Sequence, residues 1–482
     1  MEKRVLEGIQ PERAMYYFEE LCSIPHGSTN TKQVSDWLVG FAKAHGLRYY
    51  QDEANNVVIY KDGSAGYEHH PSVILQGHMD MVAEKTKDSP IDFTKDGLDL
   101  RTDGAYVWAE GTTLGGDDGI AVAYALAILE SDAIPHPPLE CVFTVDEEIG
   151  MLGAAALDVS VLKSKILINC DSEEEGILTV SCAGGATSCL TMPVVNDKAE
   201  GKGIHIYVDG LIGGHSGQEI NRGRANSNKV MGELLAKLLR QLPYRLVYVR
   251  GGSKDNAIPR YTMAKVIVSE NRFEDAKKAI ETIGAELIKA MPEQEVSAKI
   301  TCEGCFCKGH AMTISSTRAT VGLLCDVPNG VQAMSKDMEG LVQTSLNLGI
   351  LKTENDEVSM TFSVRSSVNE EKLALIEKLK KTGEKYGAAY DESGAYPAWE
   401  YRKESHLRDV MVDVFEQNFG RKPVVQAIHA GLECGLFSDR IPGLDCVSFG
   451  PDMQDIHTTR ERLSVESTSR TWEYLTEILA RL

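Results

Sequence analysis

Apolar and polar positions follow two textures along the 482-residue chain. In the first third, short apolar runs of strand length alternate with longer stretches of helical periodicity. Residues 12–45 are broadly amphipathic, Val73-Ile-Leu-Gln has the length of a buried strand, and residues 120–129 read as a buried helix. Pro135-His-Pro-Pro breaks the chain; Cys141-Val-Phe-Thr-Val and Lys165-Ile-Leu-Ile-Asn then supply further strands. Strands alternating with helices predict a largely parallel sheet covered on both faces.

Around Thr187 the texture changes. Two successive stretches each read as strand, helix, strand, strand, helix, strand. In the first, strand 204–208 precedes a helix with Val230, Leu234, Leu238 and Met231, Leu235, Leu242 at helical spacing. Strands 245–249 and 261–268 and a helix over 273–291 follow. In the second, 313–324 reads as a strand pair or hairpin, 336–347 as a helix, Val358-Ser-Met-Thr-Phe-Ser-Val as a strand and 369–386 as a helix. From Tyr396 the alternating texture resumes, with helix 406–419, strands 423–428 and 445–449, and a terminal helix 467–482. The expected class is α/β. A discontinuous domain (1–186 and 396–482), with a largely parallel sheet flanked by helices, is interrupted by an inserted α+β lid (187–395) laid out as a structural duplication.

Charge removes some partners. With 50 Lys+Arg against 71 Asp+Glu the formal net charge is −21, which opposes both a general nucleic-acid binder and docking on anionic membranes. The longest apolar run, 120–129, is about half of what a bilayer span needs, and the first residues lack an apolar core of signal-peptide length. A cytoplasmic protein is expected. Eleven scattered cysteines fit reduced thiols. Cys302-Glu-Gly-Cys305-Phe-Cys307, with His310 nearby, resembles half of a structural zinc site, but no second C-x-x-C lies at finger-like distance, so these read as ordinary thiols.

Candidate chemistry gathers at the carboxyl ends of the expected strands, where open α/β sheets bind ligands. Gly77-His78-Met79-Asp80 follows the first, Asp146-Glu147-Glu148 the next, and Asp171-Ser-Glu-Glu-Glu the third. Ile456-His457-Thr-Thr-Arg-Glu-Arg follows strand 445–449, and Gly115-Gly116-Asp117-Asp118-Gly119 enters a helix. Residues two apart in an extended chain face the same side, so Asp80 can orient the His78 imidazole. Singly, each piece has a plain reading: a hydrogen-bonded histidine, a helix cap at Asp117, solvated glutamates. Together, two histidines and three carboxylates suit two borderline cations such as zinc, with one carboxylate bridging.

Leu75-Gln-Gly-His-Met-Asp-Met-Val, Gly111-Thr-Thr-Leu-Gly-Gly-Asp-Asp-Gly-Ile, Phe143-Thr-Val-Asp-Glu-Glu-Ile-Gly and Ile166-Leu-Ile-Asn-Cys-Asp-Ser-Glu-Glu resemble the aminoacyl-histidine (Xaa-His) dipeptidases. These are co-catalytic zinc metallopeptidases related to aminoacylase and glutamate carboxypeptidase. The resemblance continues through Leu211-Ile-Gly-Gly-His-Ser-Gly, Asn256-Ala-Ile-Pro-Arg, Ala427-Ile-His-Ala-Gly-Leu-Glu-Cys-Gly and the His457 segment, in order over essentially the whole chain. It implies that Asp117 bridges two metal ions, with His78 and Asp171 completing one site and Glu148 and His457 the other. Asp118 stands where the family often has Asn, so a second carboxylate competes for the bridging role; Asp117 is the expectation. The ions would be zinc, with cobalt or manganese as alternatives.

The same resemblance makes Glu147 the general base and then acid, Asp80 the residue orienting His78, and His215 a transition-state stabiliser from the lid. Asn256 and Arg365 match substrate-binding positions, and a guanidinium suits a dipeptide's terminal carboxylate through its bidentate fork. His429 and Glu433 are expected to line the pocket, Glu433 facing a substrate amino group. The implied activity is two-metal hydrolysis of unblocked dipeptides, Xaa-His among them, by a water shared between the metals. The alternative is an aminoacylase or carboxypeptidase-type amidohydrolase on the same centre. The expected partner is a small peptide substrate, and a homodimer is compatible with the resemblance.

Overall fold

The structure, a computed structural model, describes residues 4–482 apart from the side chains of residues 306–308, so the Cys307 thiol lies outside the described residues. The chain divides into two compact units. One comprises Met1–Cys182, Tyr401–Ala427 and Leu432–Leu482; the other comprises Ala183–Glu400 and Ile428–Gly431. No helix among the described residues is long and apolar enough to cross a membrane.

The first unit is built on an eight-stranded sheet. Its middle holds four parallel strands in the order Leu139–Thr144, Val73–His78, Ile166–Asn169, Asp445–Ser448. Arg48–Gln51 and Val57–Lys61 add antiparallel strands at one side. The first two central strands are buried along their whole length, which fits their continuous apolar runs. Their register is the important feature for chemistry. His78 lies opposite Thr144, Gln76 opposite Asn169, and Asn169 opposite Ser448, so four carboxyl ends finish side by side.

Helix Gly116–Glu130 is buried at every position through Leu129, as an apolar all-round run requires. It lies tight against strand Val73–His78: a Cβ at Gly77 would sit 2.6 Å from both the Ala121 Cβ and Asp118 Oδ2.

The second unit carries a nine-stranded sheet whose pairings are antiparallel. From one edge eight strands run Lys299–Met312, Asn196–Asp209, Thr262–Val268, Arg245–Gly251, Val342–Glu354, Glu357–Ser366, Gly184–Pro193, Ala389–Tyr396, and the ninth, Gly330–Met334, pairs with Val342–Glu354 off that path. Each half of that list is a β-α-β-β-α-β unit with the spatial order 4-1-3-2, and the two second strands meet at Gly251↔Leu351. Helices Ser227–Gln241 and Phe273–Ala290 serve the first half, Ile314–Asp326 and Asn369–Glu384 the second. The first half is inserted whole into the second, whose opening strand, Gly184–Pro193, lies upstream of it.

That nesting corrects two expectations. Residues 313–324 are not a strand pair but helix Ile314–Asp326, capped by the Thr313 hydroxyl accepting from the Ser316 N–H. Residues 336–347 are not a helix. Gly340 has φ +80°, and strand Val342–Glu354 begins just beyond it and forms a hairpin with Glu357–Ser366. Asn355 and Asp356, at φ +50° and +61°, make its two-residue turn.

Candidate active site

In the first unit the parallel register delivers His78, the Asp146–Glu148 segment, Asp171 and the His457 loop to one end of the sheet. Helix Gly116–Glu130 brings Asp117 to the same place. Gly115 begins the helix in the left-handed region (φ +68°), and Asp117 and Asp118 depart from helical geometry (ψ 107° and 31°), so their carboxylates turn in different directions.

Asp117 is the centre of the cluster. Its Oδ1 lies 3.2 Å from His78 Nε2 and its Oδ2 lies 3.0 Å from His457 Nε2. The second histidine is also 3.0 Å from Glu148 Oε1, and His78 is 4.0 Å from Asp171 Oδ1. Asp117 thus reaches both histidines; with Glu148 and His457 it forms one close group, while His78 and Asp171 form another with Asp118, their ligand atoms lying within 4.8 Å of one another. Asp118 is also held by the chain: its Oδ2 accepts from the His78 backbone N–H at 3.2 Å, while Oδ1 is buried without a hydrogen bond.

Asp80 holds several parts at once. His78 Nδ1 lies 3.0 Å from the Asp80 carbonyl oxygen and 3.6 Å from its carboxylate. The carboxylate accepts from the Glu147 backbone N–H at 3.1 Å and from the Ser28 hydroxyl at 2.9 Å. Two loops here carry left-handed residues other than glycine, Asp146 and Met151 around Glu147, and Asp455 and His457. Such backbone persists only where its surroundings fix it.

Electrostatics follow from crowding anions in a buried place. Burial raises Asp171 well above the carboxylate range, and Asp117 adds to that. Burial likewise pushes Glu147 up to about 8, with Glu433, Glu148 and Asp117 reinforcing it and His78 opposing. For Asp117, hydrogen bonds from His457 and His78 outweigh burial and hold it below its usual value. His457 is correspondingly raised to about 10 by Asp117 and Glu148. Each imidazole sits where positive charge is demanded. Groups of histidine and carboxylate ligand atoms here lie within 4.8 Å of one another, and a donor set of imidazole nitrogen and carboxylate oxygen suits divalent cations. The residues present fit a two-metal centre.

Glu433, expected to face a substrate amino group, lies deep in the unit. It is 0% exposed, and its Oε2 accepts from Gln76 at 2.6 Å and Thr144 at 2.7 Å. Gln76 in turn accepts from Asn169 at 2.7 Å. This polar layer crosses three central strands, and Glu433 Oε1 is buried without a hydrogen bond. Burial raises the Glu433 carboxyl to about 7.

The second unit gathers its own cluster. His215 lies in the short strand Gly214–His215, paired with Ala257–Ile258, next to exposed Asn256. A Cβ at Gly214 (φ +141°) would meet Arg224 Nη1 at 2.0 Å, so only glycine allows this turn. His215 Nδ1 accepts from the Gly217 and Gln218 N–H groups, both at 3.2 Å, which assigns the neutral ring's proton to Nε2. Burial and nearby Arg365 keep this imidazole below its usual pKa. Arg365 donates to the Tyr396 hydroxyl at 3.1 Å, and its Nε is buried without a hydrogen bond. His429, 7% exposed, pairs with the Ser345 hydroxyl at 2.7 Å.

The sequence model of Peptidase family M20/M25/M40 matches residues 74–481. The chain belongs to that family. It is an enzyme, a metal-dependent peptidase. Among its M20 relatives, a cytosol non-specific dipeptidase of Escherichia coli is 36% identical over 479 residues, covering 99% of each chain. The crystal structure of an aminoacylhistidine dipeptidase from Vibrio alginolyticus superposes with a TM-score of 0.93 at 36% identity, over 99% of this chain and 98% of that one. Aminopeptidase PepT from Bacillus cereus shares the fold more distantly, with a TM-score of 0.56 at 17% identity over 98% of each chain.

Sequence reasoning passed over several residues that build the site. Ser28 reaches Asp80 from 52 positions away, and Glu461 binds the backbone that leads into Asp117. Glu461 stands within the quoted His457 segment, but its partners lie some 345 positions upstream, and no local pattern marks them.

Proposed function

We propose that this chain hydrolyses the peptide bond of unblocked dipeptides, Xaa-His dipeptides among them, in the cytosol. The observation that carries the reading is Asp117, whose two oxygens each face a different histidine. Names of the relatives support the substrate class: one is a non-specific dipeptidase, the other an aminoacylhistidine dipeptidase. His78, Asp117 and Asp171 would hold one cation and Asp117, Glu148 and His457 the other. Two divalent cations held there, zinc or else cobalt or manganese, supply Lewis acidity that makes water a nucleophile near neutral pH.

The chain's own residues do the rest. Glu147 takes the proton of the attacking water and returns it to the leaving amine, general base and then general acid. Asp80 fixes both ends of this arrangement, orienting the His78 ring and anchoring the Glu147 backbone. His215 presents Nε2–H as a neutral donor for the developing oxyanion. Arg365, with Asn256 beside it in function, receives the substrate's terminal carboxylate, and its buried Nε leaves hydrogen-bonding capacity for that role.

A hydrolysis panel tests the reading, with bound metal measured in parallel. Xaa-His and other dipeptides should be cleaved, with N-acyl amino acids and tripeptides poor substrates. Preference for N-acyl amino acids would install the aminoacylase reading on the same centre instead.

A further inference from the structure

Glu461 is a buried carboxyl group with an unusual set of partners. It is 3% exposed, and its carboxylate accepts from three consecutive backbone N–H groups: Leu114 at 2.8 Å, Gly115 at 3.2 Å and Gly116 at 2.8 Å. These are the free donors at the start of helix Gly116–Glu130, where negative charge is favoured by the helix dipole. A Cβ at Gly116 would lie 3.3 Å from Glu461 Oε1, so the glycine admits the carboxylate closely. The next residue is Asp117.

The other side of Glu461 leads to His457. The segment folds into a turn in which the Glu461 N–H donates to the Thr458 carbonyl at 3.1 Å. His457 itself is at φ +59°, in the left-handed region that few residues other than glycine occupy. It is also exposed, whereas Asp117 is 6% exposed. Local bonds brace the turn itself, Thr458 Oγ1 donating to the Asp455 carbonyl at 2.7 Å and the Arg460 N–H to Thr458 Oγ1 at 3.1 Å, but neither reaches the segment that carries Asp117, from which the imidazole lies 3.0 Å.

We propose that Glu461 is a positioning residue that pins the His457 turn to the backbone leading into Asp117, and so preforms one of the two cation sites. The inference rests on the two-cation reading above. The Asp117–Glu148–His457 site depends on this tie most, because His457 comes from a turn outside the parallel sheet. The site of His78 and Asp171 depends on it less, because those two follow adjacent parallel strands and the helix carrying Asp117 is also held there by Asp118 Oδ2, which accepts from the His78 N–H at 3.2 Å. Loss of Glu461 should thus weaken one site selectively. Gln retains one acceptor oxygen but turns an NH₂ toward backbone donors; Ala removes the tie altogether.

The test uses full-length protein stripped of metal and titrated with Co²⁺, reading both stoichiometry and visible absorption. Wild type should bind two ions, and His457→Ala supplies the reference spectrum for the remaining site. Glu461→Gln and Glu461→Ala should bind the first ion with wild-type affinity and the His457→Ala spectrum. The second ion should bind roughly 10–100-fold more weakly, as loss of an outer-shell partner usually causes, with Ala more affected than Gln. Excess Co²⁺ should then restore the two-ion spectrum. Equal weakening of both sites, or undiminished affinity at the second, would overturn the proposal. If the Ala variant does not fold, the Gln variant decides the matter alone. A wild type that binds fewer than two ions would instead refute the two-cation reading.

Discussion

A carboxylate that must both accept and return a proton cannot be an ordinary solvated glutamate. At Glu147, burial and the surrounding Glu433, Glu148 and Asp117 raise the proton affinity, while the backbone tie to Asp80 fixes the group's position. Glu147→Gln keeps size and hydrogen-bonding shape but cannot take the proton. It should lower kcat by roughly 10²–10⁴-fold, with KM and metal content near wild type. Steady-state kinetics with metal analysis checks this, and near-normal kcat would remove Glu147 from the mechanism. His429 makes a prediction of the opposite kind, about stability. Burial, with Arg365 and His215 nearby, lowers its pKa to about 4 from 6.5. The unfolded chain then binds the proton more readily than the folded one between those values. Stability attributable to His429 is complete above about pH 6.5 and falls as the pH drops toward 4, by something on the order of 3 kcal/mol. His429→Gln should flatten that loss, seen as a smaller difference in Tm between pH 7 and pH 5 than wild type shows.

Among the elements, helix Ile314–Asp326 shows what a pattern of apolar residues misses. Its buried face includes Thr317, Thr320, Val321 and Leu324, at helical spacing, yet two of the four are threonines that a hydropathy pattern counts as polar. The Thr317 hydroxyl accepts from the Leu246 N–H at 3.0 Å, beside a register shift in strand Arg245–Gly251. That partner makes burial of the hydroxyl tolerable, and it lies 71 residues away. The helix start is local and easier to test. Thr313 caps the Ser316 N–H, so Thr313→Ala should cost about 1 kcal/mol in urea unfolding while Thr313→Ser is near neutral. The opposite error, a helix read into 336–347, arose from good helix formers around Lys336 and Met338; the hairpin through Asn355 and Asp356 overrides them. The clustering of the candidate ligands was legible for a geometric reason. His78, Glu147, Glu148 and Asp171 each end or closely follow a strand, and parallel register turns that shared position into proximity. Glu433 sits below the same ends, in contact with Gln76 and Thr144, and its depth could not be read from a motif.

For the molecule as a whole, the charge of −21 is unevenly meaningful. Most acids are solvated surface, but Asp117, Asp118 and Asp171 are buried close together, and Glu433 lies beneath the same strand ends. Such a group is stable only if positive charge or protons offset it. Cations binding the folded and not the unfolded chain therefore stabilise it by mass action, about 2.7 kcal/mol at a free concentration 100-fold above Kd. Because the ligand candidates all belong to one unit, the effect should be local in sequence. On chelation, activity should be lost and amide hydrogen exchange should quicken around residues 78–81, 114–118, 146–150, 170–173 and 455–461. The core strands of the other unit, Glu357–Ser366 and Gly184–Pro193, should keep wild-type protection, since their core is apolar and holds no metal ligand candidate among the described residues. Zinc, cobalt or manganese should restore both activity and protection. Uniform loss of protection across both units would mean that the metals support the whole chain and that the centre's stability is not confined to the strand ends that present it.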